Sequence, residues 1–212
     1  MRKIAMIGAG GIQSWAAKHL REMIDVFFPQ EMVTVVIYDA DIVEEKNLKR
    51  NAQNFQPEDL LENKAEVIAN RYKFIADNKF ITEENIKELT DFDDVILGVD
   101  NHKTRKLIYH FCIENEIYCI DMRAQGTRMS YFVVEPTSNK EKQKELIEKY
   151  DKRFFSNSEI MERSGSCQLA IDIENDHIEN ANKAIAFFCM QCIYLKRWRK
   201  ETLSTNEFEF VY

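Results

Sequence analysis

Lys3-Ile4-Ala5-Met6-Ile7-Gly8-Ala9-Gly10-Gly11 is the stretch that decides how this chain folds. A short apolar run that ends in glycines is a strand handing over to a helix where the backbone must bend sharply. From Ile12 to Phe28, Ala16, Ala17, Leu20, Met23, Ile24 and Phe27 recur at helical spacing, and Pro29 closes the run. Met32 to Tyr38 is then a nearly continuous β-branched stretch, the pattern of a strand covered on both faces. Strand, turn, helix, strand is a βαβ unit. It opens a Rossmann-like, doubly wound α/β sheet whose strands are mostly parallel.

Working outward, Pro57 suits the first turn of a second helix, running to about Tyr72. The stretch from Asn78 to Leu89 has room for a short strand and a short helix. Val95–Val99 reads as a buried strand, Lys103–Asn115 as a helix, and Ile117–Asp121 and Ser130–Val134 as strands, the last with its pairing direction open. After Pro136 the composition turns polar. Thr137 to Ser166 is expected to be a long, partly mobile crossover excursion, with a helical hint at Leu146, Ile147 and Tyr150. Glu179–Arg197 is an apolar helix, and Phe208–Tyr212 a last strand. The reading is one domain over residues 1–212.

Composition removes several function classes. The net charge of −7 argues against a nucleic-acid binder. The basic cluster Lys196, Arg197, Arg199 and Lys200 reads as a solvated helix end, where cations suit the dipole. No apolar run approaches the ~20 residues of a membrane helix, and the first residues do not form a secretory signal. A cytoplasmic protein is expected. Five cysteines, scattered and odd in number, do not suggest a disulfide scaffold.

A Gly-x-Gly turn between strand and helix brings backbone N–H groups to phosphates at the positive helix end. Gly8, Gly10 and Gly11 form that turn. Gln13 stands where a dinucleotide fingerprint has its third glycine, which disfavours a nicotinamide cofactor. Asp39, ending the second strand, is placed to hold ribose hydroxyls.

Beyond the turn come Asp39-Ala40-Asp41, Asn47-Leu48-Lys49-Arg50-Asn51, Asn63-Lys64-Ala65, and Asp100-Asn101 ahead of a helix. In that order and spacing, over residues 1–123, these motifs resemble the ThiF/MoeB/ubiquitin-activating family. The resemblance implies an adenylyltransferase that uses ATP and Mg²⁺ to activate a carboxylate. Arg50, Lys64, Asp100 and Asn47 would form the adenylation centre, with Asp100 holding the metal. Gly8, Gly10, Gly11, Asp39, Asp41 and Asn101 would complete the nucleotide site.

The chemistry suits these residue types. A carboxylate attacking the α-phosphate needs no base, only positioned cations to offset repulsion between anions and charge on the leaving pyrophosphate. Asn51 departs from the family's glutamine. A family arginine carried on a helix before the first strand has no counterpart in this sequence.

Family members often move the acyl group to a cysteine, and Cys167 resembles that residue by its place on the crossover segment. Cys112 and Cys119 read as core. Cys189-x-x-Cys192 lies inside an apolar helix with no second pair, so zinc is not predicted. The implied partner is a ubiquitin-like or sulfur-carrier protein with a flexible C-terminal tail, and relatives imply a homodimer. Alternatives are activation of a peptide or tRNA-linked carboxylate, a non-catalytic heterodimer partner that keeps the fold, and an NAD(P)-linked oxidoreductase.

Overall fold

The computed structural model describes residues 1–29, 31–48, 53–125, 128–155, 177–203 and 205–211. Its centre is a seven-stranded sheet of order β3-β2-β1-β4-β5-β6-β7. The strands are β1 (Arg2–Ile7), β2 (Val33–Tyr38), β3 (Ile75–Asp77), β4 (Asp94–Leu97), β5 (Tyr118–Gln125), β6 (Arg128–Val134) and β7 (Glu207–Val211). The first five in that order run parallel, and β6 and β7 are antiparallel additions. That settles the direction of the 130–134 strand, which forms a hairpin with β5.

Helices cover both faces, as alternate side chains along a buried strand require. Ile4 and Met6 join Ala16, Leu20 and Met23 of α1 (Gly11–Phe27), Ile68 of α3 (Lys64–Tyr72) and Ile185 of α6 (His177–Phe188). Ala5 and Ile7 face the other way, toward Ile108 and Tyr109 of α4 (His102–Glu114) and Tyr150 of α5 (Lys140–Phe155). A one-turn helix, α2 (Glu45–Leu48), follows β2.

Several expectations change. The helix expected from Pro57 is two pieces, a 3₁₀ turn at Pro57–Asp59 and then α3. The break falls where Leu61 takes φ 71° and Asn63 caps α3, accepting from the Glu66 N–H. The Asn63 amide also donates to the carbonyls of Asp39 and Asp41, which draws the start of α3 to the end of β2. Between Asn78 and Leu89 there is no strand; a 3₁₀ segment spans Ile86–Asp91. The polar stretch after Pro136 contains the 16-residue α5, and residues 156–166 lie outside the described residues. The last helix is interrupted by a π-helical segment, Cys189–Tyr194, before α7 (Leu195–Arg199). Cys112, Cys119 and Cys189 are buried.

Arg197 is not a solvated helix end. It bonds to Asp94, a fully buried carboxylate that also accepts from Tyr194 and pairs with Arg2.

α5 holds β7 through Glu207, which bonds Lys149 and Arg153 at 2.7 Å each. Burial alone would raise the Glu207 carboxyl, but the Lys149 and Arg153 pairs outweigh it and hold it below its ordinary value of 4.5. A depressed native pKa gives stability that is present above 4.5 and lost as pH falls through the lower native value. Backbone amides of β7 are therefore expected to exchange faster as pH drops from about 5 to 3, after correction for intrinsic rates. Glu207→Gln should flatten that dependence; an identical dependence in the variant would refute it.

Candidate nucleotide site

β1 pairs with β2 on one side and β4 on the other, so the carboxyl ends of all three lie together. The chain leaves this edge by the glycine turn, by Asp39–Asp41 and by Gly98–Asn101. The strand order reverses here, which makes it the crevice where open α/β sheets bind ligands.

Gly8 has φ +92°, and a Cβ there would lie 3.2 Å from the Gly98 carbonyl oxygen, so only glycine fits without strain. Gly10 sits at the N-cap of α1, which has no side-chain cap and no acid in its first turn. Among the described residues a Cβ on Gly10 would meet nothing nearer than 4.0 Å. Among the described residues the positive end of this 17-residue helix is not blocked, a cradle that fits a phosphate. Gly11 is confined by α6: a Cβ there would lie 2.5 Å from Nδ2 of Asn182, itself buried.

Asp39 is 6% exposed, and its carboxylate joins two of these segments. One oxygen accepts from the Ala9 N–H at 2.7 Å, the other from the Asp41 N–H at 2.8 Å. Burial pushes its carboxyl above the ordinary range, while the Asp41 and Ala9 N–H groups and the Lys64 charge pull it down. Each oxygen has a second acceptor position, so a ribose hydroxyl is compatible with this arrangement.

Lys64 is the first residue of α3, an unfavourable place for a cation because it opposes the helix dipole. Its side chain is 9% exposed, and its Nζ lies 3.0 Å from Asp41, whose side chain is 56% exposed. Lys46 is held above its ordinary range first by its hydrogen bond to Glu44 and the charge of that residue, with Asp41 and Asp100 adding to the effect. Lys46 is therefore within electrostatic reach of both acids.

Asp100 is exposed at the entry to α4. Asn101 caps that helix, accepting from the Thr104 N–H at 3.1 Å. The buried Asn47 uses its side-chain oxygen to accept from the Glu44 N–H at 2.8 Å and so shapes the α2 loop. Arg50 and Cys167 lie outside the described residues. The structure thus gathers Gly8, Gly10, Gly11, Asp39, Asp41, Lys64 and Asp100 at one edge of the sheet and shows Asn47 and Asn101 bonded within their own loops.

Two buried amides escaped the sequence reading. Asn182 lies on the buried stripe of α6 with Ala181, Ile185 and Ala186, and a polar residue on that stripe was the available signal. The other is Gln13, noticed only as a missing glycine.

Among the described residues no group of three or more acidic, histidine or cysteine side chains is placed to hold a metal. Asp100 fits an ion held by few carboxylates together with phosphate oxygens, as Mg²⁺ is.

A family model, that of the ThiF family, matches residues 1–205. The chain belongs to the ThiF family. Similar solved structures include E. coli MccB with ATP, at 18% identity and TM-score 0.67, covering 100% of this chain and 60% of that one. MccB with AMPCPP and MccA gives 18% identity and TM-score 0.64, with the same coverage. PaaA gives 16% identity and TM-score 0.65, covering 100% of this chain and 61% of that one. No curated protein matches. This ThiF-family chain therefore spans about 60% of the length of these structures and shares their fold. Among the described residues no helix is long and apolar enough to cross a membrane.

Proposed function

We propose that this chain uses ATP to adenylate the C-terminal carboxylate of a small carrier protein, ubiquitin-like or sulfur-carrying, with a flexible tail. The observation that carries this reading is Lys64: a nearly buried cation at the wrong end of a helix, paired with Asp41, whose N–H is bonded to the Asp39 carboxylate that also holds the glycine turn. A dipole-opposed lysine is sensible where an anion arrives to compensate it. Membership of the ThiF family and the ATP named with its MccB neighbour support the nucleotide.

In this reading the glycine turn holds the phosphates on backbone N–H groups, and Asp39 meets the ribose. Arg50 and Lys64 neutralise charge around the α-phosphate, while Asn47 and Asn101 keep their loops in register. Asp100 would hold Mg²⁺, which supplies further charge neutralisation on the pyrophosphate. The carrier carboxylate oxygen forms a bond to the α-phosphorus as the bond to pyrophosphate breaks. In a second step the Cys167 thiolate attacks the acyl carbon, the bond to the AMP oxygen breaks, and AMP leaves with the electron pair.

ATP–pyrophosphate exchange tests this, with carrier proteins ending in Gly-Gly and with free peptides as acyl donors. Exchange should require a donor carboxylate, disappear in Arg50→Ala and Asp100→Ala, and persist in Cys167→Ala, which should form no thioester. Exchange with peptides only would move the substrate to that class. Absence of exchange with any donor, alongside tight binding to another ThiF-family chain, would instead mark a non-catalytic partner.

A further inference from the structure

Gln13 occupies the floor of the crevice. It is 1% exposed, on the first turn of α1, and its amide nitrogen donates to the Ile7 carbonyl at 3.2 Å and the Ile96 carbonyl at 2.6 Å. Those carbonyls end β1 and nearly end β4, adjacent paired strands from whose ends the chain leaves in different directions. The Ile7 carbonyl also accepts from the Gly98 N–H at 3.1 Å. Space for the amide comes from Gly98, since a Cβ there would lie 2.5 Å from Gln13 Cγ and 2.9 Å from its Cδ. The amide oxygen is buried without a partner among the described residues, which carries a cost.

What Gln13 joins is informative. The segment leaving β1 is the glycine turn, and the segment leaving β4 runs Gly98-Val99-Asp100. A side chain bonded to both strand ends adds to the backbone pairing of Ile7 with Leu97 a second tie between the turn and the segment that carries Asp100. A third glycine would let the helix close on the strand and offer no such tie.

We propose that Gln13 is a positioning residue that fixes the Asp100 segment against the nucleotide turn, so that Asp100 reaches the metal carried by a bound triphosphate. The proposal rests on the adenylation reading above. Gln13 touches neither substrate nor metal; it acts through the two strand ends.

Calorimetric titration of ATP with and without Mg²⁺ separates this role from a general one. Gln13→Met keeps the bulk and removes both N–H donors. It should bind metal-free ATP within about twofold of the parent and lose about tenfold of the affinity gained on adding Mg²⁺. Gly98→Ala, which displaces the same amide from the opposite side, should give the same split and serves if the first variant does not fold. With an exchanging donor, kcat should fall while KM for the donor holds. Equal loss of affinity with and without Mg²⁺, or no change in either, would overturn the positioning role. If the parent protein itself binds no ATP, the adenylation reading falls and takes this proposal with it.

Discussion

Lys64→Ala is expected to lower the rate of ATP–pyrophosphate exchange by about two to three orders of magnitude, the usual loss when one pre-placed charge donor is removed. The argument is positional. An ammonium at the first residue of α3 opposes the helix dipole, and its nearly complete burial deprives it of water. Its partner Asp41 is more than half exposed, so the pair contributes little to stability, on the order of 0–1 kcal/mol. The same substitution should therefore leave Tm nearly unchanged, within about 2 °C.

Lys64→Arg should not restore the rate, because a planar fork does not replace a point charge in a confined space. Asp41→Asn should weaken exchange less than Lys64→Ala, since it frees the ammonium from its partner without removing it. Exchange in Lys64→Ala within threefold of the parent would remove Lys64 from the centre. A fall in exchange matched by a large fall in Tm would mark it as structural.

The opening βαβ unit was legible because two periodicities and a glycine turn agree with each other over Lys3–Tyr38. Alternation of buried side chains along β1 then dictates helices on both faces, and the structure places them there. Three features were legible in part or not at all, each for a physical reason. α5 shows in the sequence only as the hint at Leu146, Ile147 and Tyr150, because it also buries Gln143 and lies in a run of lysines and glutamates. The break before α3 depends on Leu61 at φ 71° and on the Asn63 amide reaching Asp39 and Asp41, contacts made across more than twenty residues. Arg197 looked like surface charge because Asp94, its buried partner, is on a different element. At the crevice the order of the motifs already brings Asp39, Asp41, Lys64 and Asp100 to neighbouring segments, but the bonds those side chains make could not be read. Asp39 was expected to meet ribose, and the structure adds that it first ties Ala9 to Asp41.

Asp121→Asn is expected to destabilise the fold by about 3–5 kcal/mol, the usual cost of removing one charged partner from a buried ion pair. Asp121 is 0% exposed and has three partners from three elements. Arg105 of α4 bonds one oxygen and also donates to the Met122 carbonyl at 2.9 Å. Arg123 of β5 bonds the other oxygen at 2.8 Å, and Tyr150 of α5 donates to that oxygen at 2.9 Å. Arg123 in turn donates to the Tyr150 hydroxyl at 2.7 Å, which closes a ring of charge-assisted bonds.

An asparagine keeps the shape but can set an NH₂ against a guanidinium, which only donates, and it removes the carboxylate charge that Arg105 and Arg123 share. Tyr150→Phe is the control. It keeps the ring stacked 3.7 Å from Tyr109 and removes only the hydroxyl, so about 1 kcal/mol is expected. In thermal unfolding, Asp121→Asn should lower Tm by about 10 °C and Tyr150→Phe by about 3 °C.

This cluster also bears on the site, because His102 directly follows Asp100 and Asn101. Burial first, then the charges of Arg123 and Arg105, hold the His102 imidazole below its ordinary value and favour its neutral form. Losing the Asp121 carboxylate removes a charge that opposes this shift, so the His102 pKa should fall further in Asp121→Asn, measurable by NMR titration of the ring. A Tm within about 2 °C of the parent would show that the arginines find other partners, and the cluster would then be a consequence of the fold rather than one of its supports.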